Sequence, residues 1–586
     1  MPTLTIDGKV CEFEKGQTIL QVANANGIEI PQYCYHDGLS IVASCRICLA
    51  EVWAPNPRNE GKLEPMPKLV PTCQTPAGDG QVVYTDSPKS IANQKAVMEY
   101  LLINHPLDCP VCDQAGECLL QDYSYEYGRG VSRFEETKVK QPKKNLGPHV
   151  YLYADRCIMC SRCVRFCREV TGTNELIVQG RGNQEQIDIF PGMALDNELS
   201  ANVTDLCPVG ALLDKDFLFA QRVWYLKTTP SIDGITASGD NISIEHNRGE
   251  VFRIKPRTNL EVNKWWISDE IRYCHSFIHD ESRITTPMRR GVSGSLSACE
   301  ESRAFEDVLQ NLRGKRFALM VSPMLSCEDA YCLAEAAIKL GQVALALGPV
   351  PIDGEDKTFP GGYTIRAEKA PNARGVRRVL DALAKQHNLE NVLDFAALPG
   401  ALKNLDGVIL TGNYPSAWAT PELVSACRET FCVLIDTLPN ALTEDAQAVN
   451  VFLPAATWAE KAGSFENANN RLQAFEAAIP TIGLSKSEGQ IGLDLSALLG
   501  ASDPMTVLAS RKARTAIMYP DAMPGQVPGA MEVATPIGEL FNAATVRQRA
   551  AEACPALSSL RDEVHLPRID HDAPDPFEAD MAMVEL

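Results

Sequence analysis

The twenty cysteines of this 586-residue chain are unevenly placed: thirteen lie at or before Cys207, many two residues apart, and seven are scattered over the rest without ligand spacing. Thiols two residues apart in one loop can face one centre. The first thirteen residues lack a basic region followed by an apolar run, and lack an Arg/Ser-rich amphipathic stretch, so neither a signal nor a transit peptide is expected. In a reducing compartment clustered thiols are metal ligands rather than disulfides. The front third must therefore fold around metal centres, while the remainder is free to fold as ordinary protein. A net charge of -20 repels phosphate backbones and argues against a nucleic-acid partner. No run of 18 apolar residues occurs, so no direct membrane span is expected.

Leu4, Ile6, Val10 and Phe13 flank Asp7-Gly8, which predicts a β-hairpin. Thr18 with Gln21 forms a capping-box signature before Ile19, Leu20 and Ala23, and Gly27 with Pro31 ends the predicted helix. Hairpin, helix and cysteine loop follow in the order of a β-grasp ferredoxin. The loop holds Cys34, Cys45 and Cys48, and Cys73 arrives from another segment. A close trio with a distant fourth thiolate suits a two-iron cluster. A four-cysteine zinc site is the alternative, but zinc knuckles pair short Cys-x2-Cys units, and the gap between Cys34 and Cys45 does not.

The second group is His105, Cys109, Cys112 and Cys118. Alone, one histidine with three cysteines fits zinc as well as a four-iron cluster, and only its neighbours favour iron. The third is Cys157, Cys160, Cys163 and Cys167, spaced as in bacterial ferredoxins. Arg168 follows Cys167, whereas the fourth cysteine of such a run normally precedes proline and serves the other cluster of a pair. Cys207-Pro208 supplies that dipeptide, while the three positions before it at ligand spacing are Asn197, Ser200 and Val203. The second run has thus lost its own cluster, so Cys207 closes the site of Cys157, Cys160 and Cys163. Cys167 is left as a buried thiol.

In this order the three motifs resemble the large iron-sulfur subunit of respiratory complex I, the G-type or 75 kDa family of NADH-quinone oxidoreductase. The resemblance implies one 2Fe-2S and two 4Fe-4S clusters. It implies a relay of single electrons from a flavin-bearing subunit to a ferredoxin-like subunit, toward quinone, coupled in the whole complex to proton translocation. It also implies a peripheral place on the cytoplasmic side of a bacterial inner membrane, and a role in an oxidoreductase without a complete active site in this chain. The alternative is an electron-transfer subunit of a NAD-linked formate dehydrogenase or hydrogenase. Some family members hold a further four-iron cluster; here Asp233, Thr236, Asp240 and Ser268 fall at its four ligand spacings. Carboxylates and hydroxyls are poor iron-sulfide ligands, so the site is expected to be vacant, with Asp233 and Asp240 as solvated surface acids.

From about residue 280 the pattern turns to alternating strands and helices: strands at 317–321, 343–347, 407–411 and 431–435, helices at 328–340 and 376–385. This predicts a doubly wound parallel sheet. Residues 450–467 with Arg471 to Gln473 resemble the molybdopterin oxidoreductase family, whose scaffold the complex I subunits keep without the metal. No molybdopterin is expected, and Glu460, Asn467 and Arg471 are expected to stabilise the fold. The expected organisation is α+β ferredoxin modules followed by an α/β molybdopterin-oxidoreductase-like domain. Its parts are a β-grasp two-iron domain (1–82), a helical His-and-Cys four-iron domain (83–122), a four-iron ferredoxin-like domain (142–221), a degenerate four-iron domain (222–279), the α/β domain (280–500) and a tail (501–586).

This reading predicts about ten irons per chain and, on reduction, one two-iron and two four-iron signals in low-temperature EPR. Chemical iron and sulfide counts on the purified protein check it; a fourth cluster would contradict the vacancy at Asp233 to Ser268.

Overall fold

A computed structural model describes residues 1–291, 294–510, 514–518 and 529–567. The chain divides into two compact units, one of Met1–Leu226 with Thr358–Tyr363, the other of Lys227–Lys357 with Thr364–Leu586.

The first unit opens with the hairpin Thr3–Ile6 and Lys9–Glu12. Asp7 (φ 46°) and Gly8 (φ 85°) are both left-handed, as the right-handed twist of the flanking strands asks of a two-residue turn. Thr18 caps the helix Ile19–Ala25: its hydroxyl accepts from the Gln21 N–H at 3.2 Å, and the Gln21 side chain accepts from the Thr18 N–H at 2.9 Å. Thr3–Ile6 then pairs in parallel with Val82–Tyr84, which pairs antiparallel with Leu49–Asn56. Leu4, Ile6, Ile19, Leu20, Val52 and Val83 fill the space between sheet and helix. Residues 34–48 are left as the loop that joins helix to sheet.

Helices Pro88–Leu102 and Leu119–Tyr127 flank the loop carrying His105 to Cys118. Beyond them, Lys143–Asn145, Val150–Tyr153 and Leu212–Asp214 form an antiparallel sheet, with the short helices Arg162–Phe166 and Asn202–Leu206 in the intervening chain. Each of these helices adjoins a cysteine segment, the internal duplication expected of a ferredoxin.

The second unit starts with the antiparallel strands Lys227–Ile232, Asn241–Asn247 and Glu250–Pro256. Its main sheet has five parallel strands in the spatial order Gln342–Leu347, Arg316–Val321, Gly407–Thr411, Phe431–Asp436, Val451–Pro454. In chain order this is 2-1-3-4-5, the doubly wound arrangement that the alternating pattern predicts. Met288–Arg290 extends the sheet antiparallel to Val451–Pro454. Helices Cys327–Leu340, Ala373–Gln386 and Glu488–Gly500 cover it with apolar faces.

The expected tail is not wholly a tail. Helices Ala543–Ala553 and Ser559–Asp562 place Val546, Ala550, Leu557 and Leu560 in the same core as Phe305 and Phe317, because their apolar spacing gives them a face to bury. The boundary expected at 501 therefore falls inside this packed unit. The acidic segment 571–580 lies outside the described residues.

A doubly wound sheet binds ligands beyond its strand ends where the order reverses. Here that crevice is filled from within. Asn413 donates to the Ala456 carbonyl (2.7 Å) and to Glu488 (2.8 Å), the Tyr414 hydroxyl donates to the Pro349 carbonyl (2.8 Å), and Trp418 stacks on Tyr414 and donates to Asp436 at 3.0 Å. Glu460 is fully buried, paired with Arg283 at 2.6 Å and accepting from Thr457 and Ile482. Asn467 receives the N–H groups of Asn469 and Arg471, closing a loop, and Arg471 pairs with Glu261 at 2.7 Å. These contacts give all three residues structural work.

Lys461 is buried with Asp329 at 3.0 Å and with Glu488. Removing the one cation would strand two buried carboxylates, a loss of about 3–5 kcal/mol. Lys461→Met is expected to cost the second unit about that much stability and so lower its thermal transition, read by circular dichroism on the full chain, with the first unit's iron content unchanged.

Candidate metal centres

In the loop after the first helix, the Cys34 thiol is hydrogen-bonded with that of Cys45 and the Cys48 thiol with that of Cys73, and the second pair feels the charge of Cys34. All four sulfurs of the expected two-iron site are thus brought together. The bond from Cys45, with backbone N–H groups of Cys45 and Ser44, pushes the Cys34 thiol down from its ordinary value despite burial. Ala43 (φ 50°) and Arg46 (φ 62°) are left-handed without being glycine. Such backbone costs about 1–3 kcal/mol and persists only where the surroundings impose it; here it turns amides toward the sulfurs.

His105, Cys109, Cys112 and Cys118 line one cavity of about 540 Å³. The Pro88–Leu102 helix ends just before His105, and Cys118 stands at the N-terminus of Leu119–Tyr127, where the backbone N–H groups of Leu120 and Gln121 lie beside its sulfur. Burial, helped by the Arg156 charge, pushes the His105 imidazole down to about 4, so at neutral pH it is an unprotonated ligand. Gly210 packs against this group so closely that a Cβ would overlap Cys112 Sγ.

Cys157, Cys160, Cys163 and Cys207 line a second cavity, which Cys167 does not. Met159 (φ 54°) and Ser161 (φ 59°) repeat the left-handed backbone, and the Met159 N–H points at Cys157 Sγ from 3.4 Å. Backbone N–H groups of Val209, Leu212 and Ala211 bond Cys207. Burial pushes the Cys160 thiol up to about 11, so these sulfurs stay protonated until a cationic metal core displaces the proton.

Cys167 is fully buried elsewhere, near Glu175. A chain of hydrogen bonds runs Thr171, Thr173, Glu175, Asn197, with Thr173 to Glu175 at 2.7 Å and Asn197 to Glu175 at 2.5 Å. Asn197, Ser200 and Val203 are buried too, so polar and apolar side chains fill the duplicate half of the ferredoxin.

The expectation of solvated acids at the degenerate site needs correction. Asp233 and Asp240 are buried, because the Asp233 carboxylate is the hub of a closed network. It accepts from the N–H of Ile235 (2.9 Å), the N–H and hydroxyl of Thr236, and the Ser238 hydroxyl (3.0 Å). Burial pushes it up to about 6. Ser268 caps the helix Asp269–Tyr273.

The three sulfur-rich groups fit iron-sulfur clusters in donor chemistry, in their inward amides and in two buried donors left over: the Nε–H groups of Arg162 and Arg165, which no protein atom accepts. Among the described residues no three His, Cys, Asp or Glu side chains could share a single metal ion. A cluster does not require that, since no iron in it takes more than two of the protein ligands.

Comparison with known proteins agrees. Residues 1–88 match the 2Fe-2S iron-sulfur cluster binding domain, 94–133 the NADH-ubiquinone oxidoreductase-G iron-sulfur binding region, and 147–213 the ferredoxin-like domain of NADH-quinone oxidoreductase subunit 3. Residues 226–276 match the NDSU1/NuoG-like 4Fe-4S domain and 415–498 molybdopterin oxidoreductase. The fold and these matches define an iron-sulfur protein made of ferredoxin-type domains followed by a molybdopterin-oxidoreductase scaffold. The chain is 42% identical over 352 residues to the mitochondrial NADH-ubiquinone oxidoreductase 78 kDa subunit of Neurospora crassa (59% of this chain, 45% of that one). It is 40% identical over 351 residues to the NADH-ubiquinone oxidoreductase 75 kDa subunit of Reclinomonas americana (59% and 49%), and 38% identical over 343 residues to the G-type subunit of NADH-quinone oxidoreductase from Rickettsia bellii (58% and 49%). It is similar to this G-type or 75 kDa family of NADH-quinone oxidoreductase, and it spans about half the length of the curated relatives it matches. A solved NAD+-reducing [NiFe]-hydrogenase chain aligns at 30% identity, 38% of this chain, 91% of that one and a TM-score of 0.33.

Reading the cysteines alone missed Gly210 and the buried arginines Arg156, Arg162 and Arg165. The signal was present: Arg156, Arg162, Arg165 and Arg168 interleave with the third cysteine run.

Gly210→Ala is expected to displace the Cys112 sulfur and abolish one four-iron EPR signal, lowering iron by about four per chain. The other two signals should persist, which separates local displacement from general misfolding.

Proposed function

We propose that this chain relays single electrons in an NADH-quinone oxidoreductase, holding one 2Fe-2S cluster on Cys34, Cys45, Cys48 and Cys73 and two 4Fe-4S clusters. One of these sits on His105, Cys109, Cys112 and Cys118, the other on Cys157, Cys160, Cys163 and Cys207. The observation that carries the reading is that each set is gathered at its own centre within one compact unit. When bound, the clusters supply one-electron carriers. The chain's own residues do the rest: sulfurs anchor, inward amides favour the reduced state, and apolar side chains exclude water. Replacing one thiolate by the neutral His105 makes that centre less anionic and raises its potential.

The partners on this reading are a flavin-bearing subunit upstream and a ferredoxin-like subunit downstream, on the cytoplasmic side of a bacterial inner membrane. No helix among the described residues is long and apolar enough to cross a membrane. Beside the Asp233 network the buried Cys274 is a single thiol, short of a ligand set for a further cluster, and the filled crevice around Asn413, Tyr414 and Trp418 supports a scaffold without molybdopterin.

The test is Cys160→Ala in the assembled complex. Quinone reduction is expected to fall to background while NADH still reduces the flavin, both followed by stopped-flow absorbance. Retained quinone reduction would overturn the relay.

A further inference from the structure

Two buried arginines join the first and third sulfur groups. Arg162 and Arg165 lie in the helix Arg162–Phe166 on either side of Cys163, and both side chains reach the Cys34 loop. Arg165 Nη2 donates to the carbonyl of Cys34 and, at 3.4 Å, to that of Cys160, while Nη1 donates to the Ser40 carbonyl. Arg162 Nη2 donates to the Tyr35 carbonyl at 2.5 Å and Nη1 to the Leu206 carbonyl at 3.3 Å. Each guanidinium thus spans one residue at or beside a ligand of the two-iron set and one at or beside a ligand of the four-iron set. The same two loops are also tied by Ser40, which donates to Glu169 through its N–H (2.8 Å) and its hydroxyl (2.7 Å).

Neither arginine has a carboxylate within ion-pair distance among the described residues, although both are buried. A buried cation without an anion is costly, and a carbonyl oxygen offers it only a dipole. Glu169, the nearest acid named for Arg165, is itself engaged with Arg168 and Ser40. The charge that would balance both arginines is therefore that of the sulfur centres on either side, and the Nε–H group of each arginine has no acceptor in the protein.

The geometry points to Arg162 and Arg165 as positioning residues that fix the spacing of the two-iron and Cys157-site clusters and raise both reduction potentials together. Arg165 is the stronger case, since one guanidinium bonds the backbones of Cys34 and Cys160 themselves. Reduction adds an electron to each centre, and a fixed positive charge between them favours both reduced forms. His105's centre has its own cation: Arg156 is bonded to Asp108 at 2.8 Å and to the Gly210 carbonyl. It should therefore respond separately.

The inference rests on the cluster assignment above, and the test keeps the two apart. In the purified complex, wild-type protein without a two-iron and a Cys157-site EPR signal would refute the assignment before any variant is made. With both present, Arg165→Met is expected to shift both midpoint potentials downward in EPR redox titrations, and to leave that of the His105 centre in place. Arg165→Lys, which restores charge without spanning both carbonyls, should return the potentials most of the way. Unmoved potentials, a shift in only one of the pair, an equal shift in all three, or a lysine variant indistinguishable from methionine would each overturn it. Should Arg165→Met assemble no clusters, Arg162→Met carries the same readings and the same refutations.

Discussion

Everything in the first unit follows from the cost of burying anionic sulfur centres in a small amount of protein. A polynuclear thiolate centre carries several negative charges, and low-dielectric surroundings penalise each of them. The chain answers in two ways. Backbone amides are turned inward by residues that accept left-handed geometry, namely Ala43, Arg46, Met159 and Ser161. Arginines are then buried between the centres, where one cation serves two neighbours. The thiols of the Cys157 group are held protonated by burial without a metal, so folding around that group and acquisition of iron are expected to be coupled.

The same economy explains why the degenerate sites are not simply empty. Losing a cluster leaves a polar-walled space, and each space has been closed by side chains that satisfy one another. Glu175 and Asn197 close the duplicate half of the ferredoxin. Asp233, Thr236 and Ser238 close the site in the second unit, where one carboxylate collects two backbone N–H groups and two hydroxyls. A buried carboxylate is tolerable when fully hydrogen-bonded, which is why spacing alone misjudged Asp233 as a solvated acid. Burial is a property of the whole network and cannot be read from one position.

What was legible in the sequence was whatever depends on local order. The Asp7-Gly8 turn, the Thr18 and Gln21 box, the alternating elements of the second unit and the grouping of the cysteines are all set by neighbours in the chain. The exclusion of Cys167 in favour of Cys207 rested on a proline one residue along and on three missing ligands. What was not legible depends on distant segments meeting. Gly210 matters because Cys112 lies against it, and Val546 and Leu560 join the core although the sequence around them is rich in breakers. The arginines were visible, but arginine between cysteines is ordinarily solvated; only the Cys34 loop packing over them makes them interior.

The two junctions between sulfur centres are built differently, and this bears on direction. Between the Cys34 and Cys157 groups the cations are unpaired by acids and bonded to carbonyls. Between the Cys157 and His105 groups, Arg156 is neutralised in part by Asp108 and lies over the Tyr153 ring at 3.9 Å. A partly neutralised cation lends less stabilisation to a reduced centre than an unpaired one. Two separate devices thus act on consecutive centres, ligand exchange at one and unpaired charge at the other pair. A one-electron path needs its potentials kept within reach of each other, and on the proposed assignment the arginines would do for the thiolate-rich centres what histidine would supply at the third.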